Sequence, residues 1–341
     1  MSIDISKKRI IMIHGLSSKP PETDFRSLWK RCIIENISVT DESHFKPGLK
    51  DELVEKLNTM PEIFVSAYWA NATPHHIEDD EDYVSKLNIQ VDDIIDDRKQ
   101  IRDEFHVGTK EKLGDFFQDR GLDLANILVS ALAIKDDVMR MYLRETELYD
   151  KDQYIADHMR KPLEDALRDA WKDNCDVAIL SHSMGTFIAY DVLWRFSHRT
   201  VKGFKEFKEN KVQLFVTMGS PLGDSAIKGM LFSRHHKKNG NRQYPTNIDF
   251  WHNYACLGDV VSYQHNFKDE YFKPMRKLGI FPEMPEHRAI DYANLHNPFE
   301  VVTHSGNEDR EKRNPHKSYG YLVQPRLGSW LVDFLLGRLI Y

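Results

Sequence analysis

Short apolar runs, each closed by a turn residue, alternate along this chain with longer stretches in which apolar residues recur every three or four positions. Residues 9–14 (RIIMIH) end in Gly15 and predict a buried strand followed by a turn. Residues 63–69 (IFVSAYW), 177–180 (VAIL), 212–218 (VQLFVTM), 250–257 and 299–303 read as further strands. Residues 28–57 carry a helical mixture of charged and apolar positions. In residues 154–171 Ile155, Met159, Leu163, Ala166, Leu167 and Ala170 share one helical face, and Asn174 and Cys175 end the run. Residues 185–196 predict a helix coupled directly to the strand before it, and residues 328–340 a closing amphipathic helix.

Strands that are continuous apolar runs, alternating with helices, predict an α/β fold with a mostly parallel central sheet and helices on both faces. One block has a different character. Residues 73–148 open on His75, His76 and an acidic cluster, place Ile94, Ile95 and Ile101 at helical intervals among charges, and include an apolar helix over 121–143. This block reads as a helical cap inserted into a single domain spanning 1–341. No internal repeat or linker divides the chain.

Composition narrows the function classes. The chain has 341 residues, of which 41% are hydrophobic, enough to bury a sizeable core. A net charge of −6 gives a nucleic-acid partner no electrostatic support. Cys32, Cys175 and Cys256 are far apart and lack metal-ligand spacing, which fits a reducing compartment. The amino terminus has no signal-peptide pattern, and no run of about 18 apolar residues is present. A cytoplasmic protein with no transmembrane segment is expected.

The candidate chemistry lies in VAILSHSMGTFIAYDVL, residues 177–193. An apolar strand stops at Ser181-His182-Ser183-Met184-Gly185 and a helix starts at once, the strand–turn–helix context of a nucleophile elbow. Gly185 supplies one of the small residues that the tight turn needs; at the other flank Ser181 stands in place of the commoner glycine. The backbone amide of Met184, at the start of the helix, is one candidate oxyanion donor, and that of Leu16, after His14-Gly15, is the second. His14 itself reads as a brace for that loop. A serine nucleophile needs an imidazole to take its proton and a carboxylate to orient the imidazole, in the chain order Ser, Asp, His. Asp259, in NYACLGDVVS, follows an apolar strand and is the candidate acid; Asp224 is second. Among the histidines beyond it, His316 in NPHKSYGYL is preferred over His304, which sits too close to the predicted strand 299–303.

Taken together, IIMIHG, AILSHSMGTFIAYDVL, TMGSPL, LGDVVS and NPHKSYGYL resemble bacterial lipase-like α/β hydrolases, which are distantly similar to glycosylphosphatidylinositol inositol-deacylases and related serine esterases. The likeness spans residues 9 to about 72 and 150 to the end. It implies the α/β-hydrolase fold, Ser183 as nucleophile, Asp259 as acid, His316 as base and Leu16 and Met184 as oxyanion donors. The implied activity is hydrolysis of a carboxylic ester, on a small molecule or a lipid, through an acyl-enzyme and without a cofactor. Amidase, thioesterase and acyltransferase chemistry use the same three residues, and a catalytically silent binding module of this fold is the alternative from another class. An effector acting on membrane lipids, with residues 122–143 as a lid, is a further reading, and peripheral membrane contact stays open. The pairs His75-His76 and His235-His236 are not expected to bind metal, since adjacent residues seldom ligate one ion together. The basic stretch 233–243 (SRHHKKNGNRQ) reads as a solvated loop, with attraction of an anionic head group or phosphate as its other reading.

Overall fold

In the computed structural model the described residues are 3–16, 20–73, 136–236, 240–256, 266–282, 285–295 and 316–339, together with single residues between 85 and 95 and Asp259, Val261, Ser262 and Asn297. Six strands pair into one sheet: β1 (Lys8–Ile13), β2 (Phe64–Ser66), β3 (Asp176–His182), β4 (Val212–Met218), β5 (Ile248–Cys256) and β6 (Ala289–Leu295). Their order across the sheet is β2-β1-β3-β4-β5-β6, and every pairing is parallel. β1, β3, β4 and β5 are buried along nearly their whole length, as continuous apolar runs require in a sheet covered on both faces.

Two apolar layers cover the faces. On one, Phe25, Leu28 and Trp29 of α1 (Glu22–Ser38) and Leu53 and Leu57 of α2 (Leu49–Thr59) pack with Leu327, Leu331 and Leu335 of α9 (Pro325–Leu335). On the other, Met159, Leu163 and Leu167 of α4 (Gln153–Lys172) pack with Phe187, Ile188 and Leu193 of α5 (Met184–His198). The start of α4 is capped by Asp152, whose carboxylate accepts the N–H groups of Tyr154 and Ile155. Its end turns through Asn174, which adopts a φ of 53°.

Several expected elements have different bounds. The stretch 63–69 contributes only the three residues of β2 to the sheet. Residues 28–57 divide into two helices, separated by a turn around residues 39–48. β6 is a strand that the apolar pattern did not single out, because AIDYANL is interrupted by Asp291 and Asn294. Asp291 is accommodated there by the Asn253 side chain on β5, which donates to it at 2.9 Å. Of the expected insertion 73–148 most lies outside the described residues; its end is α3 (Asp136–Lys151), which runs three residues past the expected boundary. The expected strand 299–303 and His304 also lie outside the described residues. The described residues also include three short helices, α6 (Ser225–Met230), α7 (Lys273–Lys277) and α8 (Ser318–Leu322).

Candidate active site

The end of β3 turns into α5 within one residue, Ser183, which stands between them with φ 52° and ψ −125°. Asn174 and Ser183 are the non-glycine positions with positive φ among the described residues. Ser183 is held in this conformation by its own backbone. Its N–H donates to the carbonyl of Met218 on β4 at 2.9 Å, and its carbonyl receives the N–H and hydroxyl of Thr186 at 2.9 and 2.7 Å. Gly185 is needed because the helix passes directly over the end of β1: a Cβ there would lie 2.4 Å from the His14 carbonyl oxygen. Ser181, the departure from the commoner glycine, is fully buried and donates its hydroxyl to the Val216 carbonyl at 2.7 Å. A serine therefore fits that flank without an orphaned polar group.

Three side chains from distant parts of the chain meet at this turn. The Ser183 hydroxyl lies 2.8 Å from Nε2 of His316. Nδ1 of the same ring lies 2.9 and 3.0 Å from the two carboxylate oxygens of Asp259. With Nδ1–H donating to the carboxylate, Nε2 is the acceptor for the serine proton. Ser183 and Asp259 are 1% and 0% exposed, and the His316 side chain 18%. Burial would push the Asp259 carboxyl up, but the His316 charge and hydrogen bond, the Tyr321 hydroxyl and the Val261 N–H together hold it below the usual carboxylate range. Asp224, the second candidate acid, spends its carboxylate as the cap of α6, accepting the N–H groups of Ala226 and Ile227.

Comparison of the chain with protein families, with curated proteins and with solved structures finds no match.

The loop after β1 lies beside the same hydroxyl. A Cβ on Gly15 would be 2.9 Å from the Ser183 Cβ and 3.4 Å from its Oγ. Gly15 lies in the bend that follows β1 and does so without a positive φ, and its missing side chain also permits this close approach. Leu16 follows it, half-buried, with its side chain against the α4/α5 layer. Met184, as the first residue of α5, has a backbone N–H without an intrahelical partner. His14 is fully buried: Trp69 donates its backbone N–H to Nε2 at 3.1 Å and its indole N–H to the His14 carbonyl at 3.0 Å. The ring proton is therefore on Nδ1, facing the Gly15 carbonyl at 3.1 Å, and the ring stacks on Trp69.

Three further residues frame the site; they lie in the motifs quoted above, but nothing in the sequence pattern gave them a role. His182 points its Nε2–H at the backbone carbonyl of His316, 2.7 Å away, and its ring lies 4.8 Å from the His316 ring. Gly219, with φ 55°, leaves room for the acid and the imidazole: a Cβ would lie 2.9 Å from Asp259 Oδ2 and 3.1 Å from His316 Nδ1. Tyr321, fully buried on α8, donates its hydroxyl to Asp259 Oδ2. Among the described residues no group of three or more histidine, cysteine or acidic side chains is arranged to hold a metal ion. His235 instead accepts from Arg234, and His236 stacks on Trp194. Also among the described residues, no helix is long and apolar enough to cross a membrane.

Proposed function

We propose that this protein is a serine hydrolase of the α/β-hydrolase fold that cleaves carboxylic esters of small molecules or lipids. The observation that carries the reading is the unbroken line of hydrogen bonds from the Ser183 hydroxyl through the His316 ring to the buried Asp259 carboxylate. The strained serine between strand and helix, and the chain order Ser, Asp, His, support the fold.

In this account Ser183 Oγ attacks the ester carbonyl carbon while its proton passes to Nε2 of His316. The resulting imidazolium is stabilised by Asp259, which stays ionised. The negative charge on the carbonyl oxygen is met by the backbone N–H groups of Met184, at the head of α5, and Leu16. Collapse of the tetrahedral intermediate expels the alcohol, which takes the proton from His316 and leaves Ser183 acylated. Water then attacks the acyl carbonyl, giving its proton to His316. That proton returns to Ser183 as the carboxylic acid leaves. No cofactor takes part. All three cysteines are buried free thiols, which supports a cytoplasmic setting.

A panel of p-nitrophenyl esters, acyl thioesters and acyl anilides tests the reading. Ester hydrolysis is expected to exceed that of the other two classes and to fall by at least about 1,000-fold in Ser183→Ala. Activity surviving that substitution, or none on any acyl donor, overturns the reading. A preference for thioesters or anilides moves it to the corresponding acyl hydrolase.

A further inference from the structure

Asp259 is an anion removed entirely from water, so its charge has to be balanced by donors from the protein. Oδ1 receives the Val261 N–H at 3.0 Å, and the carboxylate shares the Nδ1–H of His316 between its two oxygens. Among the described residues the remaining donor is the hydroxyl of Tyr321, on Oδ2. The direction of that bond is fixed by the phenol's other neighbour. The Cys256 backbone N–H, 3.2 Å away, can only donate to the phenol oxygen, which leaves the phenol's single proton for the carboxylate. The Ser262 hydroxyl lies 3.5 Å from the same oxygen. Burial, and then the charge of Asp259, pushes the Tyr321 phenol well above its ordinary value, so it remains a donor throughout the neutral range.

The covalent arrangement links this donor to the base. His316 and Tyr321 lie five residues apart on one segment, so docking of α8 delivers the imidazole and the phenol together. The dock is close: a Cβ on Gly320 would fall 2.0 Å from Asn297 Oδ1. Among the described residues, the groups about Asp259 are His316, Tyr321 of α8, Cys256 at the end of β5, Val261 and Ser262 beyond it, and Gly219 after β4; Asp259 also acts electrostatically on the phenol of Tyr142 on α3. Of these side chains, Tyr321 is the one that gives the carboxylate a hydroxyl hydrogen bond.

Resting on the serine-hydrolase reading, we infer that Tyr321 is a positioning residue that acts through Asp259. It fixes the rotation of the carboxylate, so that the acid faces Nδ1 of His316, and it keeps the acid anionic while the imidazole is charged. Loss of this donor makes the Asp259–His316 pair hold its proton more tightly. The acidic limb of the kcat/KM profile then moves to higher pH.

The test compares wild type, Tyr321→Phe, Asp259→Asn and the double variant, with ester turnover and fluorophosphonate labelling rate measured from pH 5 to 9. Tyr321→Phe is expected to lower kcat about 10-fold with KM within about twofold, and to shift the acidic limb up by about 0.5–1 pH unit. In the Asp259→Asn background the same change is expected to cost less than about twofold, because the anion on which it acts is gone. Thermal melting checks folding. Should the phenylalanine variant fail to fold, site-specific 3-fluorotyrosine at position 321 is an isosteric, stronger donor and shifts the limb in the opposite direction. Unchanged kcat and pH profile, or an equal loss in both backgrounds, overturns the inference while leaving the hydrolase reading standing. A wild-type protein inert to esters and to the probe removes the hydrolase reading, and the inference falls with it.

Discussion

At the residue scale the site depends on two backbone positions that are unusual for opposite reasons. Ser183 occupies a positive-φ conformation that costs a non-glycine residue about 1–3 kcal/mol. Hydrogen bonds to Met218 and from Thr186 keep it there and lift the hydroxyl toward His316. Gly219 also has positive φ, but what its missing side chain leaves is the space filled by Asp259 and His316. A methyl at that position must displace one or both, in addition to straining the backbone. Gly219→Ala is therefore expected to retain the fold, with a thermal midpoint lowered by a few degrees, and to lose at least about 10-fold in ester turnover. Gly229→Ala is the control, since a Cβ there meets nothing within 4 Å. Equal turnover in the two variants would contradict the account of Gly219. Neither the close approach at Gly219 nor that at Gly15 was legible in the sequence, because both depend on which residues from other segments arrive beside them.

At the element scale, burial separated what the apolar pattern could locate from what it could not. β1, β3 and β4 are built around apolar runs, and they lie within two residues of where the pattern puts them. β6 hides because polar residues break its apolar run, and Asp291 is matched across the strand pair by Asn253, a pairing that no single segment reveals. β5 carries a further buried polar residue. His252 is fully buried against Trp330 of α9, with Nε2–H donating to the His287 carbonyl at 2.8 Å. Burial holds its imidazole down to about 4 from an ordinary value near 6.5. A histidine depressed in the folded state favours folding fully above its unfolded value, and that contribution is lost as pH falls from about 6.5 toward 4. Urea unfolding at pH 7 and pH 4.5 should thus show wild type losing about 2–3 kcal/mol more than His252→Gln, which keeps a donor but does not titrate. Identical losses in the two proteins would refute this account of β5.

At the scale of the whole molecule, the position of the site follows from the order of the strands. From β1 the chain moves to β2 on one side, then returns to β3 on the other, and continues outward through β4, β5 and β6. The helices between β1 and β2 cover one face and α4 and α5 the opposite one. Such a reversal opens a crevice at the carboxyl ends of the two strands beside it, the general place for ligands in open parallel sheets. Gly15 and Ser183 stand at those ends, and their contact joins the two halves. The parallel sheet with helices on both faces was legible from alternation and apolar runs, and the order Ser, Asp, His is what singled out Asp259 and His316 as candidates, but the strand order and its reversal were not legible. The supporting residues Tyr321 and His182 were not, since their partners are fixed only when α8 docks on the sheet. The most direct test of the central claim, that His316 activates the Ser183 hydroxyl, is covalent labelling by a fluorophosphonate with the modified peptide located by mass spectrometry. One adduct is expected, on Ser183, formed at a rate that falls at least about 100-fold in His316→Ala. An unmodified Ser183 at saturating probe, or labelling as fast without His316, would contradict it.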